Sequence, residues 1–184
     1  MSTAEQYIKR GHKVTIFYDE TGDNSPRDWD NLGNLFCFHR RYNIGDPHQY
    51  DSSDFTSFED WKNQIQKDYK VIAILPVYMF DHSGISISTT PFACRWDSGQ
   101  IGWIFTTPEK IEEIGAQPDK ALQYLEDEIK IYNQYLTGDV YGYLVEKIEV
   151  CNLGHEHTEE IQQCLGYYSI DEAKEEAESY IPQE

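Results

Sequence analysis

The stretch KVIAILPVYMFDHSGISISTT, residues 70–90, holds the most apolar run of the chain, then a compact polar turn, then a short alternating segment. The run over 70–81 predicts a central strand, bent or at an edge near Pro76, because proline cannot donate to a sheet ladder. DHSG at 81–84 predicts a tight turn, and ISISTT at 85–90 alternates as the returning strand. A hairpin built on the most apolar segment makes the sheet antiparallel there. The rest of the chain is fitted around it.

GQIGWIFTT (99–107) predicts another strand. Upstream, KVTIFYD (13–19) alternates Val14, Ile16 and Tyr18 against Lys13, Thr15 and Phe17, and NLFCFHRRY (34–42) alternates Leu35, Cys37 and His39 against Phe36 and Phe38. Between them, Asn24, Ser25, Pro26 and Gly33 predict a loop. TSFEDWKNQIQKDY predicts a helix capped by Ser57 or Thr56, with Phe58, Trp61, Ile65 and Tyr69 at helical spacing. TPEKIEEIG predicts a short helix with Pro108 in its first turn and Gly115 at its end. PDKALQYLEDEIKIYNQYLTG (118–138) predicts the longest helix, with Leu122, Leu125, Ile129, Tyr132 and Leu136 on its apolar face. Two late strands are expected at 139–150 and 164–169 around a polar tip at 152–162. A last helix should bury Ile170, Ala173, Ala177 and Ile181. The expected class is α+β: one domain over residues 1–184, with a mostly antiparallel sheet of about six or seven strands and about four helices.

Four Trp, fourteen Tyr and eight Phe in 184 residues suit a folded chain rather than a disordered one. No apolar run approaches the roughly 20 residues that span a bilayer, and the N-terminus has no apolar signal region. Cys37, Cys94, Cys151 and Cys164 are irregularly spaced, as free thiols of a reducing cytoplasm would be. The net charge is −18. Residues 106–184 carry most of it, with 19 acids against 5 bases, while residues 1–50 hold 7 acids and 6 bases. Such a field repels nucleic acid, so neither direct nucleic-acid binding nor a membrane partner is expected.

Four constellations could carry chemistry. Asp19, Glu20, Asp23, Asp28 and Asp30 crowd the loop YDETGDNSPRDWDNLG (18–33). Counted as a calcium loop from Asp19, the acids Asp19, Asp23 and Asp30 fall at ligand positions. Thr21 and Asn24 do not fit, and a solvated loop is the simpler reading. Cys151, His155, His157 and Cys164 offer zinc-suitable donors, without the usual paired spacing. Cys94, with His82 and Asp81 or Asp97, contains the residue types of a cysteine nucleophile. No phosphate-binding glycine loop is present, and no cofactor is expected.

The fourth constellation is acidic: Glu126, Asp127, Glu128, Glu156, Glu159, Glu160, Asp171, Glu172, Glu175, Glu176 and Glu178. On the last helix Glu172, Glu175 and Glu176 share a face, as do Asp171, Glu175 and Glu178. Successive turns set carboxylates about 5–6 Å apart. That spacing is of the order of phosphates along a nucleic-acid strand, so the stripe could occupy a lysine- and arginine-lined groove. Glu126, Asp127, Glu159, Glu160, Asp171, Glu172, Glu175, Glu176 and Glu178 are the residues expected to bind such a partner.

FDHSGISISTTPFACRWDSGQIGWIF (80–105), GHKVTIFYDETGDNSPRDWDNLG (11–33), FCFHRRYNIGD (36–46), YNQYLTGDVYGY (132–143) and CLGYY (164–168) resemble a widespread family of small proteins of tailed phages and other mobile elements. The resemblance covers most of the chain and implies a phage or prophage context without a catalytic assignment. This chain departs from the family's pattern at HEHTEEIQQ (155–163). By association, small acidic phage proteins are often inhibitors of host defence. The leading expectation is therefore a non-enzymatic, anti-CRISPR-type inhibitor acting in the host cytoplasm on the basic surface of a nuclease, Cas9 first and a restriction enzyme second. The alternatives are a small metal- or cysteine-dependent enzyme of nucleic-acid metabolism, and an accessory phage protein.

Overall fold

A computed structural model describes residues 2–22 and 25–183. The chain is α+β: among the described residues it has four α-helices and eight strands in two antiparallel four-stranded sheets. Its contacts gather into two compact units, one formed by residues 1–23 with 138–184 (unit 1) and the other by residues 24–137 (unit 2).

In unit 1 the strands β1 (Thr3–Lys9), β2 (His12–Tyr18), β7 (Tyr141–Val150) and β8 (Glu156–Tyr167) lie in that order. The sequence reading missed β1. It is closed onto β2 by Arg10 and Gly11, both at positive φ (48° and 74°), a hairpin turn whose Arg-Gly pair lacks the usual Asn or Asp signal. β8 starts at Glu156, well before the expected residue 164. The tip therefore shrinks to a few residues, closed by Cys151 N–H donating to His155 O at 2.9 Å. The helix α4 (Ile170–Ser179) begins at Ser169, whose Oγ accepts from Glu172 N–H. As expected, Ala173, Ala177 and Ile181 are buried, packed with Val14, Ile16, Tyr143 and Val145.

Glu178 ties α4 to β1. It receives Lys9 Nζ at 2.5 Å and Tyr7 Oη at 3.1 Å, and the lysine contact holds its carboxyl below the usual range. A depressed carboxyl stabilises the fold above its unfolded value and loses that contribution as pH falls through its folded value. Amide exchange of α4 should therefore speed up roughly two- to fivefold on acidification from pH 6 to below about 4, beyond the intrinsic change. Lys9→Met should reduce that pH dependence, leaving the smaller contributions of Tyr7 and Lys174. An unchanged profile in the variant would assign the effect elsewhere.

In unit 2 the order is β3 (Asn34–Cys37), β6 (Ser98–Thr106), β4 (Ala73–Asp81), β5 (Ile85–Ser88). β5 pairs only with Tyr78–Asp81, so Pro76 lies where β4 has no neighbour on that side. β3 ends at Cys37, five residues before the expected end at Tyr42. Its partner position Gly102 has no room for a side chain, since a Cβ there would sit 2.0 Å from Phe36 O. The helix α1 (Phe58–Asp68) takes the expected Ser57 cap, and α2 (Pro108–Ile114), capped by Thr107, has the expected Pro108 in its first turn and ends at Gly115 with φ 72°. α3 runs over Ala121–Thr137 and buries Ala121, Leu125, Ile129 and Tyr132. Leu122, expected in that stripe, is 51% exposed because the apolar face is centred one residue earlier.

Candidate functional site

The single base of the acidic stretch 18–33, Arg27, meets none of its acids among the described residues and ties the 27–33 segment to Asp46 and Glu128 instead. Arg27 is nearly buried. Its Nε and Nη2 reach the two oxygens of Asp46 at 3.1 and 2.6 Å, Nη2 also donates to Gly33 O, and Nη1 meets Glu128 at 3.2 Å. Glu128 also accepts Leu32 N–H at 2.7 Å and Gly33 N–H at 3.1 Å, and Asp46 accepts Leu35 N–H at 2.7 Å. Glu128 is thus a structural anchor rather than part of a surface stripe. Burial raises its carboxyl pKa, against the opposing pull of these donors. Asp19 accepts from Thr21 N–H and Oγ in a local turn, while Asp28 and Asp30 are exposed. Asp23 and Asn24 lie outside the described residues. Among the described residues no group of three or more His, Cys, Asp or Glu is placed to hold a metal.

The donors of the second constellation are not brought together. Cys151 and His155 sit at the β7–β8 tip and His157 is opposite Glu149, but Cys164 is opposite Tyr143. Seven residues of strand at about 3.3 Å each separate His157 from Cys164 by roughly 23 Å.

The cysteine constellation is partly assembled, in the wrong order for a nucleophile. Cys94 Sγ faces Asp97 Oδ2 at 3.7 Å, and His82 Nδ1 meets that same oxygen at 3.4 Å. The carboxylate stands between thiol and imidazole, whereas nucleophile activation needs the imidazole in the middle. Asp81 is engaged elsewhere, by Arg41 and by Tyr42 Oη. Asp81 N–H donates to Asp97 O at 2.8 Å, so these carboxylates knit the segments 39–42, 81–84 and 92–97 at one end of the sheet. Beside them Trp96 is 97% exposed, and Arg40 is exposed next to Arg41. Sequence reasoning missed this basic and aromatic rim. The run His39-Arg40-Arg41 in so acidic a chain was its signal.

The acidic residues divide between the units. Glu126 and Asp127 lie on α3 in unit 2, and Asp127 is held by Lys130 at 3.0 Å and by Gln123. The other expected partner-binding acids lie on β8 and α4 in unit 1. There Glu178 is neutralised by Lys9, which removes it from the free set. Lys13, Lys147 and Lys174 are likewise committed, to Glu146, Glu149 and Glu5. Arg10, the remaining base of unit 1, donates to Pro182 O. Glu156, Glu159, Glu160, Asp171, Glu172, Glu175 and Glu176 are exposed and form no salt bridge among the described residues. Even Lys147, opposite Glu159 across the ladder, turns its amine to Glu149 at 2.7 Å. Glu160 sits opposite another acid, Glu146.

Among the described residues no helix is long and apolar enough to cross a membrane. No protein-family model, curated protein or solved structure matches the chain.

Proposed function

We propose that the protein is a non-catalytic inhibitor that docks the acidic side of unit 1 onto a basic protein surface made for nucleic acid. The observation that carries this reading is the set of seven exposed carboxylates on β8 and α4, left over once every base of unit 1 is spent on an internal contact. Carboxylates with no salt-bridge partner among the described residues remain open to an external cation, and a strand and helix presenting them form a firm template. The resemblance to phage proteins directs the target: a host-defence nuclease in the cytoplasm of an infected cell, a CRISPR effector such as Cas9 first and a restriction enzyme second.

The test is competition. Purified protein is titrated against a Cas9–guide complex, and separately against a restriction enzyme, while the binding of labelled target DNA is followed. Stoichiometric loss of DNA binding that weakens steeply with added salt is expected, because exposed charges are screened beyond about 8 Å at physiological ionic strength. Unimpaired DNA binding by both nucleases would overturn the assignment.

A further inference from the structure

Unit 2 carries a groove of different character from the acidic unit. Three recesses, of about 560, 380 and 310 Å³, adjoin one another at Phe38 and Ser52, which line all three. One end is basic, with His39, Arg40 and Arg41. The middle contains Asn43, His48 and Asp51, and the far end is aromatic, with Phe55 and Trp61. Each recess alone is in the size range of small-molecule sites.

The charges are placed with purpose for an anion. Arg41 is fixed by Asp81 and lies 5.6 Å above the Tyr42 ring, so its guanidinium is oriented before any ligand arrives. Arg40 is exposed beside it and forms no salt bridge among the described residues. Two adjacent guanidiniums suit the oxygens of a phosphate. At the other end Phe38 is stacked on Trp61 with centroids 4.0 Å apart, next to Phe55, which gives a rigid aromatic wall. Between them Asp51 is kept ionised below the usual carboxylate range by Ser53, whose N–H and Oγ both donate to Oδ1 at 2.8 Å. Its other oxygen can accept from a ring amino group.

We infer that this cleft binds a free nucleotide, with its phosphate on Arg40 and Arg41, its ring against the Phe38–Phe55 wall, and an amino-bearing base edge on Asp51. A small ligand fits better than a strand, because each additional phosphate must approach a chain of net charge −18. The inference is independent of the acidic docking surface.

Calorimetric titrations of the full chain with inorganic phosphate, ribose 5-phosphate, AMP, GMP, UMP and a ten-nucleotide single strand at about 0.1 M salt separate the parts. The nucleotides are expected to bind at least tenfold more tightly than ribose 5-phosphate, and AMP and GMP more tightly than UMP. Arg40→Glu should weaken every phosphate ligand at least tenfold with the melting temperature retained. Phe55→Ala should erase the gain of nucleotide over ribose 5-phosphate and leave inorganic phosphate unchanged. Asp51→Asn should erase the preference over UMP. Nucleotide affinity unchanged by Arg40→Glu, equal weak binding of all the small ligands, or a strand that binds while no mononucleotide does would each overturn the proposal.

Discussion

Arg27→Ala should destabilise unit 2 by about 3–5 kcal/mol, the usual cost of removing one partner from a buried charge network. The arginine side chain is 10% exposed, and its removal leaves Glu128 and Asp46 facing each other's field without a cation. The two carboxylates cannot simply rotate to water, because they also hold Leu32, Gly33 and Leu35 through backbone N–H groups. Arg27→Lys keeps the charge and loses the fork on Asp46, so it should cost less, about 1–2 kcal/mol. The pH dependence identifies the cause. Burial already raises the Glu128 carboxyl and Arg27 opposes the rise, so without Arg27 the folded-state value climbs further. A raised carboxyl favours folding below its unfolded value and loses that contribution as pH rises through the folded value. The deficit of Arg27→Ala, measured by urea unfolding, should thus be larger at pH 8 than at pH 5. A deficit that is the same at both pH values would mean that the loss is packing around the arginine stem rather than uncompensated charge.

This network shows what could be read from the residues and what could not. Periodicity placed α1, α3 and α4 because their buried faces recur every three or four residues, and alternation placed β2, whereas β4 was placed as the most apolar run of the chain. Glu128 stands three residues after Leu125 and four before Tyr132, on the edge of the buried face, which was a legible hint that it is paired. Its partner was not legible, since Arg27 lies 101 positions away and only the fold brings them together. β1 escaped because TAEQYIK is half-exposed and its turn uses an uncommon pair. The first half of β8 escaped because, exposed, it offers no apolar alternation and is held by pairing to β7 alone. Local pattern also could not divide the strands. β2 and β3 are consecutive with β1 in sequence, yet they belong to different sheets, because neighbours in a sheet are chosen by chain pairing and not by order. The same limit applies to the acids. Composition located the charge, but only coordinates separate Glu178, already answered by Lys9, from the seven carboxylates that remain open.

Those seven give the second large effect. Replacing Glu172, Glu175 and Glu176 by Lys should weaken binding to the target nuclease about a hundredfold or more, whereas the same change at Asp28, Asp30 and Asp54 should shift it by less than about threefold. A hundredfold loss is about 3 kcal/mol, or roughly 1 kcal/mol for each reversed contact, a modest demand for charges pressed into a basic groove. Both triple variants move the net charge equally, from −18 to −12, so a difference between them reports position and not the global field. The control acids are exposed in unit 2, and the test acids are exposed on α4, where Ile170, Ala173 and Ala177 pack on the core. Glu172 lies in the first turn of α4, so its reversal opposes the helix dipole at a cost of about 0.3–1 kcal/mol, which melting curves will show and which binding must be corrected for. The Ser169 cap accepts from the Glu172 backbone, so it survives the substitution. Raising salt should then narrow the gap between the two variants, since screening shortens to about 3 Å at 1 M and removes mainly what α4 contributes. Equal losses in the two variants, or a gap that salt leaves untouched, would take the target off the acidic face and assign recognition to the exposed Trp96 rim.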